Sequence, residues 1–173
     1  MKRFSRILLC TIVFSLLVGL VGCAPEAPKT TPKAPEAPKI TEVKVGVVLP
    51  LSGNIAQTGN LVKQAMELAA DVVNNKYPDL NLPCAATEGF PNFGGAKLKL
   101  VFLDSQNTPE KGMSAVEQLI TQEKVHAVMG AYSSAVTQTA SQAAEKLGIP
   151  FLNENSTSPG LTTRGFQWFW RCT

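Results

Sequence analysis

The stretch Val125–Pro159, VHAVMGAYSSAVTQTASQAAEKLGIPFLNENSTSP, decides the fold. It predicts a strand over Val125–Ala131, a helix over Ser134–Leu147 and a strand over Ile149–Asn153. Short apolar runs are typical of strands buried on both faces, and glycine, here at position 148, commonly terminates a helix in a left-handed conformation. A strand, a helix and a second strand in this order are the repeating unit of a parallel sheet.

The same unit is repeated before this stretch. Helical spacing of apolar residues predicts a helix over Leu61–Asn75, and Thr108-Pro109 predicts the cap and first turn of another, which runs to about Glu123. Residues 76–96 hold three prolines and three glycines and predict a surface excursion. The remaining strands are predicted at Val43–Leu49, Lys97–Leu103 and Phe166–Arg171. The fold class is therefore α/β, a doubly wound parallel sheet.

In such sheets ligands bind beyond the carboxyl ends of the strands, which here are followed by loops 50–60, 104–108, 131–134 and 153–159. Loop 50–60, PLSGNIAQTGN, has neither G-x-G-x-x-G nor the lysine of a phosphate-binding loop. A dinucleotide or nucleoside triphosphate site is therefore not expected, and we predict no cofactor.

Two of these loops carry candidate binding residues. The hydroxyl of Ser133 or Ser134 can cap the following helix, or the helix N-terminus can hold an anion, and the sequence leaves both interpretations open. Loop 153–159, NENSTSP, is either a solvated turn or a second polar wall. A nucleophilic Ser133 would require the motif G-x-S-x-G and a histidine partner. The single histidine, His126, lies inside a predicted strand, so a hydrolase is disfavoured.

Composition excludes several other classes. The net charge is +3, but without Lys2, Arg3 and Arg6 there are 13 basic and 13 acidic residues, so nothing predicts nucleic-acid binding. One histidine and four cysteines make a metal site unexpected. Cys84 and Cys172 could pair in an exported protein, and we favour two unpaired thiols.

Residues 1–22 predict a signal peptide, with a basic head and an uncharged apolar run over 7–22. The alternative is an uncleaved signal anchor. Leu20-Val21-Gly22-Cys23 resembles the lipobox of bacterial lipoproteins, which implies lipid on Cys23. Residues 23–42 predict a proline-rich linker. APEAPK occurs twice between 24 and 39, and an extended polyproline segment of this length is on the order of 50 Å long.

The globular part resembles the solute-binding proteins of branched-chain amino-acid type ABC transporters, which have the type I periplasmic-binding fold. The resemblance covers 43–173 and rests on VKVGVVLPLSGNIAQTGN, on DSQNTPE after the second predicted strand, on the stretch quoted first, and on GLTTRGFQWFWR. It implies a small-molecule solute, held between two lobes that close by hinge motion.

The resemblance also implies residue roles. The loop after the third strand binds the ligand carboxylate, which corresponds to Ser133 and Ser134. The loop after the fourth strand supplies a carbonyl for the ammonium group and a hydroxyl for the carboxylate, which corresponds to Asn155, Ser156 and Thr157. A residue of the first loop, often aromatic, covers the ligand side chain. Thr58 stands there and offers little apolar cover, which argues against a branched-chain ligand.

Two lobes need roughly twice the globular length seen here, so we expect 43–173 to be the amino-terminal lobe of an incomplete protein. The predicted function is that of an extracytoplasmic component of an importer. It would be lipid-anchored on the outer face of the cytoplasmic membrane or in the periplasm, and would deliver an amino acid or related solute to an ABC permease. The alternative is a sensor domain of the same fold coupled to a signalling receptor. Neither is an enzyme.

Overall fold

The computed structural model describes residues 40–172. The predicted signal peptide, the lipidation at Cys23 and most of the proline-rich linker therefore lie outside the described residues. No helix of the described part is long and apolar enough to cross a membrane.

Five strands form one parallel sheet, which confirms the predicted fold class. They pair in the spatial order β2-β1-β3-β4-β5, so the chain moves first to one side of β1 and then to the other. A reversal of this kind leaves a crevice at the carboxyl ends of the strands, where ligands bind in such folds. The strands are β1 Glu42–Leu49, β2 Lys97–Asp104, β3 Ala127–Gly130, β4 Phe151–Asn153 and β5 Phe169–Arg171.

Helices cover both faces of the sheet. Helix α1 (Ala56–Asn74) lies on one face, where its Met66 and Val73 line a small apolar cavity together with Met129 of β3. Helices α2 (Pro109–Thr121) and α3 (Ser134–Leu147) pack on the other face. The main core lies between this helix pair and the sheet. Its fully buried members include Val48, Val116, Leu119, Val128, Val136 and Phe151.

The start of α1 differs from the prediction. The helix begins at Ala56 and not at Leu61, so Thr58 lies in its first turn and the loop shortens to 50–55. Gly59 falls within the predicted loop 50–60 but lies in the helix. It is the point where α1 packs on the loop, because a Cβ at Gly59 would lie 2.0 Å from the carbonyl oxygen of Pro50.

Strands β3 and β4 are shorter at their beginnings than predicted. The backbone N–H of Val125 donates to Leu119 O, and that of Ile149 donates to Ala144 O. These bonds complete the ends of α2 and α3, so the two N–H groups cannot join the sheet ladder. Helix α3 has the predicted bounds, and Gly148 after it is left-handed with φ 68°. Strand β5 likewise begins at Phe169, not Phe166.

The segment 76–96 forms the predicted excursion. It contains two short 3₁₀ turns, Pro83–Ala85 and Pro91–Phe93, and the N–H of Gly89 donates to Val73 O to hold it against the end of α1. Cys84 in this segment and Cys172 after β5 are both free and exposed.

Candidate functional site

The loops that follow β3 and β4 lie side by side, because these two strands are neighbours in the sheet. Ser133 is the N-cap residue of α3, with φ −82° and ψ 140°. Its backbone carbonyl accepts the N–H of Thr137 at 2.9 Å, while its half-buried side chain forms no capping hydrogen bond. The hydroxyl of Ser133 is therefore not used to cap its own helix.

Hydrogen bonds join the two loops directly. The N–H of Ser158 donates to Ser134 Oγ at 3.3 Å, and Ser156 Oγ donates to the carbonyl oxygen of Tyr132 at 2.8 Å. Thr137 Oγ1 lies 2.6 Å from Ser156 Oγ and accepts the N–H of Ala131 at 3.0 Å. Since Thr137 is fully buried in α3, one hydroxyl ties the helix to both loops.

The loop after β4 is shaped by the buried side chain of Asn153. Its Nδ2 donates to Ser156 O at 2.7 Å, and its Oδ1 accepts the N–H groups of Ser156 at 2.8 Å and Asn155 at 3.3 Å. These bonds draw Ser156 inward, where its side chain is 2% exposed. Asn155 and Thr157 on either side are exposed, so they are the residues of this loop that could contact a solute.

Thr58 is half-buried in the first turn of α1. This turn follows the carboxyl end of β1, which pairs with β3, so Thr58 belongs to the same edge of the sheet. Within residues 40–172, however, no hydrogen bond joins Thr58 to the loops after β3 and β4. The structure therefore ties together the predicted residues of those two loops and leaves Thr58 separate.

Asp104 joins the loops after β1 and β2. Its Oδ1 accepts the N–H groups of Leu51 at 2.8 Å, Ser52 at 3.3 Å and Gln106 at 2.8 Å, and its Oδ2 accepts the Ser52 hydroxyl. Burial acts to raise the pKa of this carboxyl, but the hydrogen bonds outweigh it and the pKa lies below its usual value. Asp104 is thus an ionised carboxylate that links the loops after β1 and β2 by hydrogen bonds.

Two buried side-chain oxygens of the described residues lack a hydrogen-bond partner, namely Asn107 Oδ1 and Glu154 Oε2. Both lie in loops at the carboxyl edge of the sheet. Burial raises the pKa of Glu154, although its own N–H, the Asn155 side chain and the N–H of Gly130 oppose that shift. Buried polar groups normally form hydrogen bonds, so these two oxygens are exceptions.

The geometry does not support a catalytic serine. His126 precedes β3, while Ser133 follows it, and a four-residue strand separates them by roughly 13 Å. His126 Nδ1 is also occupied, because it accepts the N–H of Lys44 at 3.0 Å. Nor does any group of three or more histidine, cysteine, aspartate or glutamate residues in the described part form a metal site.

A groove of about 440 Å³ lies elsewhere, between α1 and β2. Lys63, Glu67, Asp71 and Lys99 line it over an apolar floor that includes Phe102, and Lys63 Nζ stands 5.3 Å from the centre of that ring. None of the predicted site residues lines this groove. Its charges are mixed in sign, so it offers no defined ligand chemistry.

Sequence reasoning missed three residues that build the edge, namely Asp104, Thr137 and Asn153. Asp104 and Asn153 are the last residues of β2 and β4, so a polar residue at a strand's carboxyl end was an available signal. Thr137 had no such signal, because in the sequence it is one small polar residue within a helix. Its partners Ala131 and Ser156 become visible only after folding.

The hydrogen-bonded polar loops lie at the carboxyl edge of the parallel sheet, which is where ligands bind in folds of this kind. The model of the periplasmic binding protein family matches residues 42–172, and the chain belongs to that family. The match begins at the first residue of β1 and ends just after β5, so it covers the whole sheet.

Individual relatives agree with this family assignment. A Leu/Ile/Val-binding protein homolog of Brucella abortus is 32% identical over 134 residues, which are 76% of this chain and 29% of the relative. Another, from Brucella melitensis, is 24% identical over 92% of this chain and 35% of its own length. A solved structure of the substrate-binding protein LivJ from Streptococcus pneumoniae, in complex with isoleucine, matches with a TM-score of 0.62 and 25% identity, covering 76% of this chain and 34% of LivJ.

The chain thus spans about a third of the length of the relatives it matches. These relatives are named as binding proteins and not as enzymes, which agrees at the family level with the predicted solute-binding role.

Proposed function

We propose that the chain is the amino-terminal lobe of an extracytoplasmic solute-binding protein that serves an ABC importer. Its solute would be an amino acid or a related small polar molecule. One observation carries the proposal. The loops after β3 and β4 are fixed to each other by buried hydroxyls, while Ser133, Asn155 and Thr157 keep polar groups outside that network. The names of the relatives support the same solute class.

The chemistry of these groups suits an amino acid. The carboxylate would accept hydrogen bonds from the Ser133 and Thr157 hydroxyls, next to the N-terminus of α3, where the helix dipole favours negative charge. Ser134 would take part beside Ser133, because a hydroxyl that accepts the Ser158 N–H can still donate. The backbone carbonyl of Asn155 would accept from the ammonium group.

The other two predicted residues take different roles in this proposal. Ser156 would support the site from inside the protein, since its buried hydroxyl already joins the two loops. Thr58 would lie over the solute side chain from the first turn of α1. A second lobe, for which the greater length of the relatives leaves room, would close the cleft from the opposite side.

The site can be tested by calorimetry on the protein with L-leucine as the probe and an amide and an aromatic acid in parallel. We expect Ser133→Ala and Thr157→Ala each to weaken binding about 10- to 100-fold, because a hydrogen bond to a charged group contributes about 1.5–3 kcal/mol. Ser114→Ala, on an exposed position of α2, is the matched control. Unchanged binding of a solute by both site variants would exclude this site.

The anchor and the partner belong to the same proposal. Lipid on Cys23 would hold the protein at the membrane surface near an ABC permease, and residues 24–39 would act as a spacer. Metabolic labelling with radioactive palmitate should mark the wild-type protein and not Cys23→Ala. Equal labelling of the two proteins would refute lipidation at this residue.

A further inference from the structure

Arg171, the last residue of β5, contacts the loop after β4. It pairs in the sheet with Asn153 of β4, and its Nη1 donates to the backbone carbonyl oxygen of Ser158 at 3.0 Å. The backbone at Arg171 is fixed, because the N–H of the next residue, Cys172, donates to Asn153 O at 3.0 Å. A half-buried guanidinium on a paired strand therefore reaches the loop that carries Thr157.

The backbone of Ser158 is held by two different elements. Its N–H donates to Ser134 Oγ, in the first turn of α3, at 3.3 Å, which is long for a peptide donor. Its carbonyl oxygen accepts from Arg171 on β5, and a hydrogen bond that involves an ionised group is roughly twice as strong as one between neutral groups. Arg171 therefore makes the stronger of the two contacts at Ser158.

Thr157 lies between two residues whose backbone is fixed. Before it, the N–H and the carbonyl of Ser156 are both bonded to the side chain of Asn153. After it, Ser158 is held by Arg171. The side chain of Thr157 is exposed, and within residues 40–172 it forms no hydrogen bond of its own. The direction of its hydroxyl is therefore set by the two flanking peptides.

The guanidinium of Arg171 is committed to this loop. Among residues 40–172 it forms no ion pair, and Ser158 O is the one acceptor that it contacts. Arg164, by contrast, donates to Gln138 O and Ser141 Oγ and so ties the segment before β5 to α3. Arg164 thus secures the crossover between β4 and β5, and Arg171 contacts the loop of the candidate site.

We propose that Arg171 is a positioning residue of the solute site, which fixes the peptide after Thr157 and so orients the Thr157 hydroxyl. This inference rests on the proposed function for its effect on solute binding, but not for its effect on the loop. Loss of the guanidinium would free one side of Thr157, while Asn153 continued to hold the other side and Ser133 kept its place at the start of α3.

Amide hydrogen exchange on the ligand-free full chain tests the effect on the loop. In Arg171→Met the N–H of Ser158 should lose about tenfold in protection. The N–H of Phe151, bonded to Trp168 O at 2.7 Å, should keep its protection and show that β4 and β5 remain paired. Arg171→Lys should protect Ser158 as wild type does, since an ammonium can donate to a single carbonyl. Lys146→Met, exposed in the last turn of α3, is the control for loss of a positive charge.

A double-mutant cycle measured by calorimetry with L-leucine tests the effect on binding. Arg171→Met should weaken binding about threefold to tenfold in the wild-type and Ser133→Ala backgrounds. It should leave binding unchanged in the Thr157→Ala background, because Arg171 acts through the Thr157 hydroxyl. A merely structural role would weaken binding by the same factor in all three backgrounds.

Three results would overturn the inference. They are full protection of Ser158 in Arg171→Met, equal loss of protection in the Met and Lys variants, and equal weakening of binding in all three backgrounds. L-Leucine that fails to bind the wild-type protein would count against the proposed function alone, and the exchange measurement would then decide whether Arg171 fixes the loop.

Discussion

At the scale of single residues, Thr137 joins the two loops of the candidate site. Its buried hydroxyl accepts the Ala131 N–H and contacts Ser156 Oγ. Thr137→Val keeps the shape and leaves these two groups unsatisfied, so we expect a loss of about 1–3 kcal/mol of stability in urea unfolding. Thr121→Val, at an exposed helix end, should change stability by less than about 0.5 kcal/mol. Equal effects would show that the buried network contributes nothing.

Asp104 should make the fold sensitive to acid. Its pKa is lower in the folded protein than in the unfolded chain, so its bonds to the loops after β1 and β2 stabilise the fold above the unfolded-state pKa. That contribution is lost as the pH falls through the folded-state pKa. Thermal unfolding of Asp104→Asn should therefore depend less on pH in the acid range than that of wild type.

The control for this prediction is Asp79→Asn. Asp79 lies exposed in the excursion between α1 and β2, so its replacement should leave the acid dependence of wild type unchanged. If Asp104→Asn also retained that full dependence, Asp104 would not be the group that responds to acid.

The candidate residues on the two main loops could be predicted because the position of a strand end follows from local hydrophobic pattern. Ser133 and Thr157 come just after apolar runs, and parallel pairing then places their loops at one edge. The inward position of Ser156 could not be predicted, since it depends on Asn153 and Tyr132 in the folded chain. Sequence identifies which loop carries polar groups, and tertiary contacts decide which of those groups face outward.

At the scale of elements, α2 and α3 pack closely against each other at Gly112. A Cβ there would lie 2.2 Å from Val136 Cγ1, and both residues are buried. Gly112→Ala should destabilise the fold, because overpacking costs about 1–3 kcal/mol while alanine's helix propensity returns at most about 1 kcal/mol. Urea unfolding measures the difference.

Val136→Ala tests whether a clash with the Val136 side chain causes the loss of stability in Gly112→Ala. In the double variant with Gly112→Ala the loss should be smaller than the sum of the two single losses, because the clash is removed. Gly160→Ala is the control, since its Cβ would meet nothing closer than Ser158 Oγ at 3.9 Å. Strict additivity of the two single losses would contradict this explanation.

The helices also show which element boundaries can be predicted from the sequence pattern alone. The bounds of α3 were predicted because the glycine after it adopts the left-handed conformation that ends a helix. The beginning of α1 was not, because Gly59 and the loop glycine Gly53 look alike in the sequence. In the folded chain they differ, because Gly59 lies in the helix against Pro50 and Gly53 has φ 85° in the loop.

At the scale of the whole molecule, the two edges of the sheet differ. Lys97 and Lys99 on β2 are held in ion pairs with Glu88 and Glu42, and charged edges resist pairing with another chain. At the other edge, Trp170 of β5 is 49% exposed and Trp168, just before the strand, is 39% exposed, with their rings 6.5 Å apart. We expect self-association through this edge and less of it in Trp170→Lys, measured by analytical ultracentrifugation.

Phe93→Lys is the control for that measurement. Phe93 is also an exposed aromatic residue, but it lies in the excursion away from β5. If both variants reduced association equally, general surface hydrophobicity and not the β5 edge would be responsible.

The side chain of Asn153 has a consequence for protein engineering. It fixes the course of the backbone through position 156 from beneath, without help from the outward side chains at 155 and 157. Under the proposed function, a combinatorial library randomised at those two positions alone would retain the scaffold, and biosensors for new metabolites could be selected from it without redesign of the loop.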